Sequence, residues 1–323
     1  MPEPTRRVVL VVGSGRSGAS ALAGGLQAIG MRVPPPEVPA GEPGPRGVAE
    51  SQWVVDLHTE LLGRANVDVA DARPSAWFET GKLAANGLLR TRVTDWLRPQ
   101  LAPVYDPEKD EDVEPELVLK DPRIAWFLGL WKGAAIRVDV TPAHLTALRH
   151  VTEVVGARER PSVRTAAWVN VMLHSERATR GSLRAFVRYD DLLADWTVPL
   201  FRVGTELGLR TVTEANANSM RNVHQFLDPD LRRSQHTWAD VPVPARLREI
   251  AEETWQALTG LAEAGGDTEA RHATLDSLRE AYVALYEEAE GITASTADAA
   301  RREGATAPQD PDQPKGLKRL LGR

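Results

Sequence analysis

The chain has 323 residues, of which 42% are hydrophobic and 26% are charged, and this ordinary composition predicts a globular protein with a sizeable core. Its net charge of −6 excludes a general attraction to nucleic acids or anionic membranes, so we expect no nucleic-acid partner and only local basic sites. The absence of cysteine excludes disulfides, thiol catalysis and cysteine-bound metal, and the seven histidines have no metal-ligand spacing.

The first predicted element is a buried strand at residues 8–12, where five apolar residues follow one another. This run is too short for a signal peptide or a membrane span, so we expect a cytoplasmic protein without an integral membrane segment. The glycine-rich residues 13–18 permit a tight loop, and a helix is predicted at residues 19–29. Such a loop presents backbone N–H groups and the positive end of the helix dipole to an anion.

The spacing of Gly13, Gly18 and Ser20 resembles a Walker A loop, but Ala19 stands where the Walker lysine belongs. The missing lysine argues against an ordinary nucleoside triphosphatase and leaves Arg16 as the cation within the loop. A dinucleotide-binding fingerprint is also disfavoured, because no acidic ribose partner follows at residues 31–36.

The next stretch mixes loops and helices. Residues 31–47 are rich in proline and glycine and are predicted to form an irregular surface loop. Helices are predicted at residues 51–63 and 83–97, and an acidic loop at residues 106–115.

Three later segments repeat the pattern of a strand that ends in polar residues, at residues 116–120, 144–149 and 183–189. Helical patterns separate them, at residues 124–132, 152–159 and 163–177. This alternation predicts an α/β fold with a parallel sheet flanked by helices on both faces. Because ligands bind at the carboxyl ends of such strands, we expect Lys120, Arg149 and Tyr189 to surround one site with the glycine loop.

The remainder is predicted to be mostly helical, with long amphipathic helices at residues 244–263 and 268–290. From residue 292 the composition shifts towards alanine, threonine, aspartate, glutamine and proline, which is typical of a flexible tail. We therefore predict one domain over residues 1–290 and a tail with a short basic end over residues 291–323. The tail is a candidate docking segment for a protein partner.

Four segments, GSGRSGAS, LVLKDPRIAWFLGLW, LTALRHVTEVVGA and RAFVRYDDLLADW, resemble bacterial sulfotransferases and occur in the order found in that family. FLDPDLRR resembles the family's C-terminal segment, so the resemblance covers residues 6–235. It implies a P-loop NTPase-like fold. It also implies sulfonyl transfer, without a metal, from 3′-phosphoadenosine 5′-phosphosulfate to a hydroxyl or amine of a glycan, lipid or natural-product acceptor.

The resemblance also implies roles for individual residues. Arg16 would stabilise charge on the bridging oxygen and the sulfonyl group. Arg149 matches the arginine that binds the 3′-phosphate, and Tyr189 matches a tyrosine near the adenine. Ala157 departs from the family pattern, where a serine hydroxyl is usual, and Thr152 is a candidate replacement. The implied nucleotide-binding residues are Gly15, Arg16, Ser17, Gly18, Ala19, Ser20, Arg149 and Tyr189.

An acceptor needs a general base to take its proton. Glu50 fits the family's glutamate best, Glu42 is the second choice and His58 the third. Capping of the following helix is the alternative interpretation of Glu50. Lys120 resembles a lysine that helps to stabilise the transferring group. The predicted catalytic residues are therefore Glu50, Arg16 and Lys120.

Two other functions stay open. One is a P-loop kinase that acts on a small molecule, and the other is a non-catalytic, sulfotransferase-like nucleotide-binding or partner protein. Arg232 and Arg233 are expected either to touch the nucleotide or to cap a loop. The acceptor pocket is expected to be lined by residues 31–47, 67–86 and 102–114.

Overall fold

A computed structural model describes residues 6–41, 47–106, 110–228 and 235–306. The chain divides into a larger compact unit that ends at Val283 and a second unit that begins at Ala284. The elements that carry the predicted site all belong to the larger unit.

The main sheet has four parallel strands, and a separate two-stranded antiparallel hairpin lies outside it. In chain order the strands are β1 (Arg7–Val12), β2 (Val104–Asp106), β3 (Glu111–Val113), β4 (Leu117–Lys120), β5 (Thr141–Leu148) and β6 (Leu183–Arg188). The order within the main sheet is β4-β1-β5-β6, and β2 pairs with β3. The predicted α/β fold with a parallel sheet is therefore confirmed.

The helices connect and cover these strands. They are α1 (Ala19–Ile29), α2 (Gln52–Ala65), α3 (Ala76–Ala84), α4 (Gly87–Gln100), α5 (Leu128–Ile136), α6 (Val151–Val155), α7 (Pro161–Thr179), α8 (Tyr189–Ala194), α9 (Thr197–Leu207), α10 (Arg210–Thr213), α11 (Ala217–Phe226), α12 (Ala245–Leu261) and α13 (Glu269–Thr306). A single 3-10 turn, Ile124–Phe127, precedes α5.

Strand β1 separates two hydrophobic cores because successive side chains of a strand point to opposite faces. Leu10 and Val12 belong to the core formed with α2, α4 and α5. Val9 and Val11 belong to the core formed with α1 and α9. Helices therefore cover both faces of the sheet, as the alternating pattern predicts.

Three segments differ from the sequence predictions. Residues 76–84 form α3 within a stretch expected to be a variable pocket-lining segment. The acidic residues 106–115 contain strand β3 rather than only a loop. Helix α13 continues to Thr306, although a flexible tail was predicted from residue 291. Within the described ranges, no helix is long and apolar enough to cross a membrane.

Candidate functional site

The strand order defines where along the edge of the sheet a ligand can bind. The connection from β1 to β4 leaves towards one edge, whereas the connection from β4 to β5 returns across β1 to the other side. Connections that diverge in this way leave a crevice at the carboxyl ends of β1 and β5. The glycine loop (residues 13–18) follows β1 and Arg149 follows β5, so both predicted phosphate-binding segments border this crevice.

The N-terminus of helix α1 lies at this crevice. Its N-cap residue is Gly18, which has no side chain to cap the helix, and the first turn contains no acidic residue. The first N–H groups of a helix have no partner within it, and the helix dipole makes that end positive. The start of α1 is therefore suited to an anionic group, as the sequence predicts.

The glycine loop contains a tight turn in which the N–H of Ser17 donates to the carbonyl oxygen of Ser14 at 3.1 Å. Arg16, the third residue of this turn, has φ of 69°, a left-handed conformation that normally favours glycine. Its side chain is exposed and has no ion pair with any residue whose placement is described. A cation is thus presented from a strained position on the loop, which is consistent with a functional role.

Positions 15 and 18 of the loop differ in how strictly the fold requires glycine there. Gly18 has φ of 92°, and a Cβ there would lie 2.2 Å from Cδ2 of Tyr189. Gly15 has no positive φ, and a Cβ there would meet no atom within 4 Å. The fold itself therefore requires glycine at position 18, whereas at position 15 only the close approach of a ligand would require it.

Lys120, the last residue of β4, joins two other elements to the sheet. Its Nζ donates a hydrogen bond to Oγ of Ser20, in the first turn of α1, at 2.8 Å. It also donates to a carboxylate oxygen of Glu50. The side chains of Lys120 and Glu50 are only 5% and 12% exposed. The fold therefore brings two of the three predicted catalytic residues into direct contact beside the helix terminus.

Glu50 does not cap the following helix. Ser51 is the N-cap residue of α2, and Glu50 precedes it. The Glu50 side chain turns instead to Lys120. The capping interpretation of Glu50 is therefore wrong, because the carboxylate bonds to an ammonium group rather than to the N–H groups of α2.

His58, the third candidate for the base, is fully buried and has both ring nitrogens engaged. The indole Nε1 of Trp131 donates to Nε2 of His58 at 2.8 Å. An indole N–H can only donate, so Nδ1 carries the histidine proton and donates it to Asp121 at 3.0 Å. His58 is therefore not placed to take a proton from an acceptor, and the suggestion that it is the general base is wrong.

Asp121, which directly follows Lys120, is the centre of this buried network. Its carboxylate also accepts from the backbone N–H and from the guanidinium of Arg123, both at 2.7 Å. Burial acts to raise the pKa of Asp121, but the bonds from His58 and the charge of Arg123 lower it below its usual range. The ionised carboxylate thus anchors the chain segment that carries Lys120.

Arg149 is almost buried and contacts the glycine loop from the end of β5. Its Nε donates to Glu153 at 2.8 Å, and its Nη1 donates to the carbonyl oxygen of Arg16 at 3.3 Å. Its guanidinium lies 4.6 Å from the ring centre of Tyr189, the ring that also packs on Gly18. Arg149, Tyr189 and the loop therefore meet, as the sequence predicts.

Thr152 does not replace the serine hydroxyl that is missing at Ala157, contrary to the suggestion from the sequence. Thr152 is buried, and its hydroxyl donates to the carbonyl oxygen of His236 at 2.6 Å. It is therefore not free to replace the hydroxyl that Ala157 lacks. Ala157 itself is exposed, and Arg158 directly follows it.

One predicted pocket segment lies away from the glycine loop. Glu114 pairs at 2.7 Å with Arg6, which directly precedes β1. The hairpin formed by β2 and β3 lines a groove of about 560 Å³ beside the end of α1. The described residues of this segment, 102–106 and 110–114, therefore lie at the opposite edge of the sheet from the glycine loop. Glu42, Arg232 and Arg233 lie outside the described residues.

Two residues near the site were not predicted from the sequence, namely Glu153 and the buried Asp121. Glu153 follows Arg149 by four positions, a spacing that would have predicted their ion pair on a helix.

Among the described residues, no group of three histidine, aspartate or glutamate side chains is arranged to hold a metal ion. Comparisons with protein-family models, with curated proteins and with solved structures found no match to this chain.

Proposed function

We propose that this chain is a sulfotransferase with a P-loop-like version of the α/β fold. It would transfer the sulfonyl group of 3′-phosphoadenosine 5′-phosphosulfate to a hydroxyl or amine. The observation that carries the proposal is the contact of Lys120 with both Ser20 and Glu50 beside the uncapped start of α1. A cytoplasmic location, expected from the sequence, remains part of the proposal.

The proposed reaction is a single in-line displacement at sulfur. The acceptor oxygen forms a bond to sulfur while the bond from sulfur to the bridging phosphate oxygen breaks. The acceptor proton passes to the carboxylate of Glu50, and adenosine 3′,5′-bisphosphate leaves with the electron pair of the broken bond. Glu50 is suited to this role because one of its oxygens is held by Lys120 and it is partly open to solvent.

Negative charge develops on the bridging oxygen as the bond to sulfur breaks. Preorganised cations and N–H groups near that oxygen lower the barrier more than they strengthen ground-state binding. The backbone N–H groups at the start of α1 and the exposed guanidinium of Arg16 are suited to this task, and Lys120 supplies a second cation. The missing Walker lysine is therefore compatible with catalysis.

The kinase alternative is less well supported. In P-loop kinases the hydroxyl that follows the Walker lysine binds magnesium. Here the corresponding Ser20 hydroxyl accepts a hydrogen bond from Lys120, which places a cation where the metal would bind. Magnesium-dependent consumption of ATP by the purified protein would contradict the proposal and favour the kinase.

The proposal is tested with purified protein, the donor labelled in its sulfonyl group, and a panel of hydroxyl and amine acceptors. We expect transfer of label, and we expect Arg16→Ala to lower kcat by about 100-fold while it changes the donor Kd by less than about threefold. Arg177→Ala, which removes an exposed arginine at the far end of α7, is the control and should retain activity. Tight nucleotide binding without transfer to any acceptor would favour the non-catalytic alternative.

A further inference from the structure

The hydrogen bonds at the start of helix α2 are incomplete within the described ranges. The N–H of Gln52, the first residue of the helix, donates to the carbonyl oxygen of Pro36 at 2.8 Å. The next two N–H groups, those of Trp53 and Val54, donate to no backbone or side-chain acceptor in the described part of the chain. Val54 is fully buried, so its N–H is also shielded from solvent. Buried N–H groups without an acceptor are rare in folded proteins and call for an explanation.

The hydroxyl of Ser51 is a second, independent group without a partner at this helix end. Ser51 is the N-cap residue of α2, a position from which a serine hydroxyl normally accepts from an N–H of the first turn. Here the hydroxyl makes no such bond, although Ser51 is only 2% exposed. Its Oγ is buried and has no hydrogen-bond partner among the described residues. Unsatisfied N–H groups and an unsatisfied hydroxyl at one place suit a ligand oxygen that accepts from both.

The charges around this helix end favour an anion. The helix dipole makes the start of α2 positive, and the first turn contains no acidic residue. Glu50, which precedes Ser51, is neutralised by Lys120. Glu37 lies opposite Ser51 in an antiparallel bridge, but its exposed carboxylate accepts from Nε2 of Gln27 at 2.9 Å. An oxyanion bound here would therefore meet free donors without an unpaired carboxylate beside them.

The start of α2 adjoins the proposed general base, Glu50. Consecutive Cα atoms are about 3.8 Å apart, so Ser51 lies one such step from Glu50. Residues 36–38 run alongside both, since the N–H of Val38 donates to the carbonyl oxygen of Glu50 at 2.8 Å. These residues belong to the segment 31–47, which is expected to line the acceptor pocket. An anion at the start of α2 would therefore belong to the acceptor, because the phosphate of the donor is assigned to the start of α1.

We propose that the start of α2, through the hydroxyl of Ser51 and the N–H groups of Trp53 and Val54, binds an anionic oxygen group of the acceptor. The acceptor class is a hydroxyl or amine compound that carries a carboxylate, sulfate or phosphate ester near its reacting group. This inference rests on the proposed function, because it assumes that Glu50 takes a proton from an acceptor. Shielding from solvent strengthens the hydrogen bonds to the anion, which orient the acceptor towards Glu50.

The experiment compares acceptors that differ in one charge: methyl glucuronide with methyl glucoside, and 4-hydroxybenzoate with 4-hydroxybenzamide. We expect the full-length protein to have a higher kcat/KM for the anionic member of at least one pair. Ser51→Ala should raise the KM of that member about tenfold and leave its kcat and the neutral member nearly unchanged. Ser51→Asp places a carboxylate at the site itself, so repulsion should abolish the preference. Calorimetric titration in the presence of adenosine 3′,5′-bisphosphate measures the same preference without turnover.

The same variants distinguish a binding site from an ordinary helix cap. If Ser51 only caps α2, Ser51→Ala should lower the midpoint of denaturant unfolding and leave the acceptor preference unchanged, which would overturn the inference. We expect an unchanged or higher midpoint, because alanine removes an unsatisfied buried hydroxyl. Ser75 is the N-cap residue of α3, is exposed and also lacks a side-chain capping bond. Ser75→Ala and Ser75→Asp are therefore matched controls that should leave the preference unchanged.

The outcomes also separate this inference from the proposed function. Sulfonyl transfer without preference for the anionic member of either pair, or with a preference that Ser51→Ala does not reduce, overturns the inference alone. Absence of transfer to every acceptor contradicts the proposed function, and calorimetry then decides on the site. Tighter binding of an anionic member that is lost in Ser51→Asp would support the anion site without the transferase, whereas equal binding of both members would overturn both proposals.

Discussion

Lys120 and Glu50 form an ion pair in which both side chains are largely shielded from solvent. They are separated by seventy positions in the sequence, and the return of the chain to β4 brings them together. Their contact means that a change in either residue alters the electrostatics of the other. The two residues must therefore be tested both singly and together.

Glu50→Gln should abolish most of the sulfonyl transfer and leave nucleotide binding nearly unchanged. The amide oxygen can still accept from Lys120, but the amide cannot take the acceptor proton, so kcat should fall by about 100-fold to 10,000-fold. Steady-state kinetics and donor titration measure the two effects. Glu60→Gln, on the exposed face of α2, is the control, and a kcat for Glu50→Gln equal to that of the control would exclude Glu50 as the base.

Lys120→Met should lower both stability and activity. It leaves the poorly exposed Glu50 carboxylate without its cation, and loss of one partner of a buried pair costs about 3 kcal/mol. The double variant Lys120→Met with Glu50→Gln should regain part of that stability but none of the activity. Denaturant unfolding together with turnover measurements distinguishes these effects, and a double variant less stable than Lys120→Met would contradict the pairing.

Alanine substitutions in the glycine loop should have different effects at its two positions. Gly15→Ala should change the free energy of unfolding by less than about 0.5 kcal/mol, because its Cβ meets open space. Gly18→Ala should cost at least about 2 kcal/mol, because it combines a positive φ with a collision against Tyr189. Gly15→Ala should nevertheless weaken nucleotide binding, and unchanged affinity would show that no ligand approaches this residue closely.

The stability of the protein should decrease as the pH falls from about 6.5 to 4. Burial, aided by the charges of Lys132 and Arg184, lowers the pKa of His144 from 6.5 to about 4. Between these two values the unfolded chain binds a proton that the folded chain excludes, so acidification favours unfolding by up to about 1.4 kcal/mol per pH unit. Below the folded pKa this contribution levels off.

The variant His144→Leu should make this part of the stability profile less steep, as measured by denaturant unfolding at several pH values, while His174, whose pKa burial also lowers to about 4, keeps its own contribution. His224→Gln, which alters an exposed histidine on α11, is the matched control and should leave the slope unchanged. An equal slope in wild type and His144→Leu would assign the acid sensitivity to other groups.

The elements around the glycine loop could be predicted because local sequence determines them. Five apolar residues followed by glycines specify β1 and the loop, and the predicted bounds of α1 agree with the structure. The carboxyl ends of parallel strands must meet at one edge, so Lys120, Arg149 and Tyr189 could be placed together from their positions alone. The position of a residue at a strand end fixes its neighbourhood but none of its individual contacts.

The contacts that the sequence did not predict depend on long-range packing. His58 lies on the expected inward face of α2, but its bonds to Trp131 and Asp121 follow from how α5 and β4 pack against that helix. The hairpin formed by β2 and β3 was missed because its strands have three residues each and little hydrophobic alternation. Its tether to Arg6 then places it at the edge away from the loop.

The backbone of Arg16 has a consequence for protein engineering. At φ of 69° glycine would relieve a cost of about 1 kcal/mol, so a library selected only for thermal resistance should accumulate glycine or asparagine at this position. The same replacement would remove the exposed guanidinium from the mouth of the crevice. Selection for durability and selection for turnover should therefore drive position 16 to different residues.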